Sequence, residues 1–249
     1  MNMTEAPNAQ SDFHCISVMQ PYFFPYIGYF QLIYASDVFV IYDDGKMIKN
    51  GYIHKNSILS TSSEPSPFTV GLTLSRKSAN KKINEIELSD DRRYLTTVLQ
   101  SIDNRYKRAP CFKSVIPILS DLILQPESNL ARYLTNQITA VCNYIGINTS
   151  IALSSDIDKS GLEYCEEKAF RICRRFGMEN YINPLGGQNF YDRTVWKQNG
   201  INLYFLKRDD DISYRQFKET FVPDLSIIDV MMFNYPEQIR ELLRCYTLL

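Results

Sequence analysis

Residues 15–44 limit the possible folds more than any other stretch. CISVMQ is a short apolar run of the buried-strand type. PYIGYFQLIYAS carries Tyr26, Ile27, Phe30, Ile33 and Tyr34 at helical spacing, and VFVIYDD is a second buried-strand run. Strand, tight turn, helix, strand is a βαβ unit, which commits the chain to a parallel pair with a right-handed crossover. Pro25 is expected in the first turn of the helix, where its missing N–H costs nothing.

The remaining pattern extends this plan. Asn50-Gly51, flanked by MIK and YIH, is a hairpin signal. FTVGLTL alternates as a strand does, and KKINEIEL alternates less regularly as a further strand candidate. From about residue 90 to 150 the periodicity turns helical, with acidic residues at Asp90 and Asp91 and a C-terminal cap at Gly146. TSIALSSDI, ENYINPLGG and INLYFLK read as strands. GLEYCEEKAFRICRRFGM reads as an amphipathic helix, and PDLSIIDVMMF and PEQIRELLRCYTLL as two more. The expected architecture is α/β: a Rossmann-like core with a mostly parallel sheet, a β-hairpin excursion and a helical insert or lobe. Residues 1–13 read as a disordered tail, and 14–249 as one domain with its helical lobe at about 90–150.

Composition narrows the function classes. With 27 basic and 28 acidic residues the formal net charge is −1, which gives no footprint for nonspecific nucleic-acid binding. Six cysteines form no CxxC and only two histidines exist, so no zinc site of the usual spacing is expected. Cys142 and Cys173 sit in apolar helical surroundings and read as buried thiols. The polar start MNMTEAPNAQSDF is not a signal peptide, and no run of about 18 apolar residues exists. These features predict a cytoplasmic, reduced protein. The 17 tyrosines and 14 phenylalanines suit a sugar or nucleobase pocket, since Tyr joins a flat apolar face to a polar tip.

Four segments carry residue types that are poor choices for purely structural work. Gln20, Pro21 and Tyr22 follow the first strand and form a preorganised lip, with Tyr26 and Gly28 beyond it. Open α/β sheets bind ligands at that carboxyl end. Asp43 and Asp44 close the second strand. Paired carboxylates there can hold a metal, orient a hydroxyl or accept a proton, and Asp-Asp-Gly is equally good turn chemistry. Lys49, His54, Lys55 and Asn56 crowd the hairpin. His54 is the one internal group titrating near neutrality, and a lysine can meet a phosphate as a point charge. Asn183, Gly186, Gly187 and Tyr191 follow a later strand, where adjacent glycines let backbone N–H groups approach an anion. Ser154 and Ser155 close the strand before that. In a parallel sheet all these ends share one edge, so Gln20, Tyr22, Asp43, Asn183 and Gly187 are expected around one cavity, with His54 reaching over it.

MQPYFFPYIGYFQLI, DVFVIYDD, NGYIHKNSI, YINPLGGQNFYD, GINLYFL and LSIIDVMMF, in this order over about residues 15–248, resemble the WbqC-like family. The family occurs among bacterial O-antigen and surface-polysaccharide genes, and the resemblance implies aminoacyl transfer such as attaching glycine to an amino sugar. The family usually has Trp and Arg in the hairpin, where this chain has Tyr52 and His54-Lys55. A looser resemblance, to nucleotidyltransferases and class I aminoacyl-tRNA synthetases, rests on Gly28 in the first strand–helix turn. The histidines that those enzymes place over ATP phosphates are missing from this turn.

The leading expectation is an N-acyl- or aminoacyltransferase acting on a nucleotide-linked or lipid-linked amino sugar. His54 or Asp43 would be the base and Asn183 or the Gly186-Gly187 backbone the oxyanion stabiliser, with Lys49 and Lys55 on a phosphate. No Ser or Cys stands in a nucleophile elbow, so direct attack by the amine is favoured. The implied partners are that sugar and an activated acyl or aminoacyl donor; no protein-bound cofactor motif and no metal site are read. The alternatives are an ATP-using acid-activating enzyme and a non-catalytic sugar-binding subunit.

Overall fold

The computed structural model describes residues 13–47, 51–60, 66–75, 80–162 and 164–249. Strand β1 (Cys15–Met19) leads through a seven-residue turn into helix α1 (Ile27–Tyr34), and β2 (Val38–Ile41) returns beside β1 in parallel register. The first predicted unit is therefore present. Tyr26 is the N-cap of α1, which puts Pro25 one residue before the cap rather than in the helix's first turn.

A two-stranded antiparallel hairpin follows, β3 (Lys55–Leu59) and β4 (Pro67–Gly71). The hairpin lies later than the Asn50-Gly51 signal predicts, for Gly51–His54 form bends that lead into β3. Lys49 and Asn50 lie outside the described residues. KKINEIEL is not a strand. Ile83–Glu85 make a single 3-10 turn, and Ile83 and the following Ile86 are buried.

Helices α2 (Arg93–Tyr106), α3 (Phe112–Leu124) and α4 (Leu130–Ile145) fill the stretch where the periodicity was helical. Gly146 ends α4 at φ +84°, a left-handed C-cap that only glycine adopts without strain. β5 (Ser150–Leu153), α5 (Cys165–Phe176), β6 (Asn180–Pro184), α6 (Arg193–Gln198), β7 (Asn202–Arg208), α7 (Ile227–Phe233) and α8 (Pro236–Leu243) complete the alternation. The chain closes with β8 (Tyr246–Leu248), where the sequence pattern had continued a helix. β8 pairs antiparallel with β7 and covers that sheet edge.

The main sheet has the order β5-β2-β1-β6-β7-β8, parallel except for β8. It is buried on both faces, which explains why its strands read as continuous apolar runs. Along β2, Val38 and Val40 join a core with α5 and α6, whereas Phe39 and Ile41 join the larger core with α1–α4, α7 and α8. Phe13 packs edge-on against Tyr204, 5.2 Å between ring centroids, and the rest of the expected tail lies outside the described residues.

From β1 the chain winds outward to β2 and β5, then returns to β6 on the other side of β1. The topological switch point therefore lies between β1 and β6. Ligands of open α/β sheets bind outside the carboxyl ends of the strands at that point.

Candidate functional site

The turn after β1 sorts its aromatics by position. Phe23 and Phe24 are fully buried, whereas Tyr22 and Tyr26 face cavities. Phe24 sits at φ +40°, an unfavourable conformation for a bulky residue. Three contacts hold it. Asn56 Nδ2 donates to the Phe24 carbonyl at 2.7 Å, Ser226 Oγ donates to the same carbonyl at 2.7 Å, and Ile227 N–H donates to the Pro25 carbonyl at 2.8 Å. Asn56, a sequence candidate for substrate binding, thus also fixes this turn. Gly28 lets the Tyr26 ring fold over the start of α1, since a Cβ there would lie 2.5 Å from the ring.

Two cavities adjoin at Tyr26 and Asp224. One, about 270 Å³, lies at the switch point between the start of α1 and the carboxyl ends of β6 and β7. Gly28, Pro184, Gly186, Lys207 and Arg208 line it with those two residues. The other, about 480 Å³, is lined by Tyr22, Tyr26, Tyr52, Asn56, Ser57 and the segment Pro223–Leu225. Arg208 Nη1 pairs with Asp224 Oδ1 at 2.5 Å. Asp224 adopts φ +58°, a second strained residue at the same place. Burial pushes the Tyr26 phenol above its usual value, against a smaller pull from Arg208.

The next strand ends form a separate polar cluster. Asp43 is buried, and both its oxygens are engaged: Ser155 N–H donates to one at 2.9 Å and Ser155 Oγ to the other at 2.6 Å. Asp44 pairs with Lys159 at 3.2 Å, and that lysine also donates to the carbonyls of Ser154 and Ile157. Ser154 Oγ and Asp44 Oδ1 are buried without a partner. Tyr42, beside Asp44, has its phenol pushed up to about 12, first by burial and then by that carboxylate.

The remaining candidates take varied positions. Gln20 donates to the Lys46 carbonyl at 3.3 Å. Pro21 is buried behind the lip. Asn183 is buried, its amide lying against Gly187 so closely that no Cβ fits there, and it donates to the Pro184 carbonyl at 3.3 Å. Tyr191 stacks edge-on against Trp196 at 5.5 Å. Lys55 follows His54 into β3. His54 is half-buried with Nδ1 unpartnered, and burial, then the Lys55 charge, lowers its pKa below 6.5.

Of the predicted residues, then, Tyr22, Tyr26, Gly28, Asn56 and Gly186 line the paired cavities, whereas Asp43, Asp44, Ser154 and Ser155 gather in the neighbouring cluster. Lys207, Arg208, Asp224 and Lys159 were missed. The Lys-Arg-Asp-Asp-Asp run directly after a predicted strand was a usable signal for Lys207 and Arg208. The segment holding Asp224 has no periodicity and gave none. Among the described residues no group of three His, Cys, Asp or Glu side chains is placed to hold a metal, and no helix is long and apolar enough to cross a membrane.

No solved structure matches this chain. It is 26% identical over 230 residues to the uncharacterized protein Rv1507c of Mycobacterium tuberculosis, covering 92% of this chain and 97% of that protein. The model of the WbqC-like protein family matches residues 20–241, from the Gln20 lip through β7 and into α8, and the chain belongs to that family.

Proposed function

We propose that the protein transfers an acyl or aminoacyl group, glycyl being the leading candidate, to the amine of a nucleotide-linked or lipid-linked sugar during O-antigen or related surface-polysaccharide synthesis. The observation that carries this reading is the pair of adjoining cavities at the switch point. One offers a glycine backbone and two cations, each paired with an aspartate of the same wall, Lys207 with Asp210 and Arg208 with Asp224; the other offers three tyrosines. Lys207 and Arg208 meet the phosphates of the sugar carrier, and Tyr22, Tyr26 and Tyr52 offer their faces to sugar or base.

The amine nitrogen attacks the acyl carbon of the activated donor. A C–N bond forms, the carbonyl oxygen takes the electron pair, and the backbone N–H near Gly186 steadies that oxyanion. The bond to the donor's leaving group then breaks, and the amine's proton passes to a base. His54 is the base of this reading: it lines neither cavity itself but lies between Tyr52 and Asn56, which line the second, and its lowered pKa keeps the ring neutral and able to accept a proton at pH 7. Asp43 does not, because Ser155 occupies both its oxygens.

The test is mass spectrometry of nucleotide-linked amino sugars after incubation with protein and a panel of acyl and aminoacyl donors. A mass shift that His54→Gln abolishes supports the reading; no shift over a broad panel contradicts it. The commitment of Asp43 to structure favours one alternative, a non-catalytic sugar-binding subunit. Tight sugar binding with no product from any donor would support that alternative.

A further inference from the structure

A third cavity, of about 310 Å³, opens between the far end of β3, the last turn of α2 with the residues after it, and the segment 216–220. It shares no lining residue with the paired cavities. Arg105, Lys107, Arg108 and Lys218 line it, and no Asp or Glu among the described residues does. None of these four cations makes an ion pair within 4.0 Å among the described residues. A chain of net charge −1 thus gathers four positive charges around one concavity, with no acidic partner within 4.0 Å among the described residues.

Each part of the wall fits one kind of occupant. Arg105 is anchored, its guanidinium 3.4 Å from the centroid of the Phe68 ring and its Nη1 donating to the Ser101 carbonyl at 3.0 Å. Its Nε is buried without a partner. Lys107 and Arg108 are exposed and able to turn toward a ligand, and Arg108 lies 5.8 Å from the centroid of Phe217. Phe217 meets Phe233 edge-to-face, 4.8 Å between ring centroids, and keeps part of its ring exposed. Like charges around a low-dielectric concavity focus a positive potential. A tetrahedral, multiply charged anion can engage several of them together, with more charge and more acceptor oxygens than a single carboxylate.

We infer that this cavity binds a phosphoryl group, carried on a ring compound that rests against Phe217. The phosphoryl oxygens meet Lys107, Arg108 and Lys218, and the ring takes the apolar side of the wall. The site goes beyond the transferase reading and stands on different residues. The shared chemistry is the phosphoryl group, whether it arrives free or as an ester.

Isothermal titration calorimetry with pyrophosphate, a hexose 1-phosphate and a nucleoside monophosphate tests it. At least one should bind the full chain, with affinity falling as sodium chloride rises from about 50 to 200 mM. The double variant K107E/R108E should weaken that binding about tenfold or more, with the circular-dichroism spectrum unchanged. Lys218→Glu, on a separate segment, should weaken it in the same direction and serves if the double variant misfolds. Equal affinity for pyrophosphate and the esters makes the phosphoryl group the whole determinant. Tighter ester binding that Phe217→Ala removes assigns the ring contact. No binding of any probe at about 10 mM overturns the inference. So does binding that survives both charge reversals but is lost in Arg208→Ala, because that result places the anion in the switch-point cavity.

Discussion

Ser155 holds the Asp43 carboxylate through two hydrogen bonds, one from its backbone N–H at 2.9 Å and one from its hydroxyl at 2.6 Å. The bonds tie the end of β2 to the end of β5 across the edge where the ligand is expected. Removing a buried carboxylate leaves both donors unsatisfied. Asp43→Ala should therefore cost about 3 kcal/mol of stability, and Ser155→Ala, which loses only the hydroxyl, about 1 kcal/mol. Urea unfolding at pH 7 measures both. An Asp43→Ala protein with unchanged stability and no activity would instead make Asp43 a chemical participant.

The turn that presents Tyr22 and Tyr26 depends on the Phe24 carbonyl being held in place. Asn56→Ala removes one of its two side-chain donors while Phe24 keeps its strained φ of +40°. The expected loss is about 2 kcal/mol. Because Asn56 also lines the tyrosine cavity, sugar-ligand affinity should fall as well. Unfolding and binding titrations on the same variant check the two effects.

Gly28→Ala separates ligand binding from folding. The added Cβ would meet the Tyr26 ring at 2.5 Å, and the ring is the part that can move. The variant should fold with stability within about 1 kcal/mol of the parent, since alanine favours the helix. Its affinity for the nucleotide-linked sugar should nonetheless drop as Tyr26 leaves the ridge between the cavities. Intact affinity would show that Tyr26 makes no contact with ligand.

His54 gives the pH dependence its sign. Burial and the Lys55 charge lower its folded pKa below 6.5, so on acidification the unfolded chain takes up this proton first. The stability tied to His54 is complete above pH 6.5 and is lost as pH falls through the lowered folded value. Unfolding at pH 7.5 and 5.5 should show a larger loss in the parent than in His54→Gln. The chain has two histidines, so proton NMR resolves the titration directly, and the signal missing from His54→Gln should titrate below 6.5.

The sequence made the frame readable where one physical rule dominated. Strands buried on both faces left unbroken apolar runs, and Gly146 marked the end of a helix. Hence the α/β plan and the shared carboxyl edge could be read from β1, α1 and β2 alone. It misled where the context was tertiary. Asn50-Gly51 has hairpin chemistry, but the pairing is set by Ile58, Leu59 and Val70 reaching the core beneath the helices. β8 looked helical because Tyr246, Thr247 and Leu248 follow α8 closely and are too few to show a period of their own; pairing with β7 decides their state. Of the residues lining the paired cavities, Tyr22, Tyr26, Gly28 and Gly186 were singled out from strand ends and Asn56 from the hairpin, whereas Asp224 lies on the aperiodic segment 209–226, whose placement depends on what it packs against.

The central claim is that ligand occupies the two cavities that meet at Tyr26 and Asp224. A crystal structure with a nucleotide-linked amino sugar tests it most directly. The account predicts the diphosphate within about 3 Å of Lys207 or Arg208 and the sugar or base against Tyr22 and Tyr26. Ligand density at the amino ends of the strands, or in a position touching neither Arg208 nor Tyr26, would contradict it.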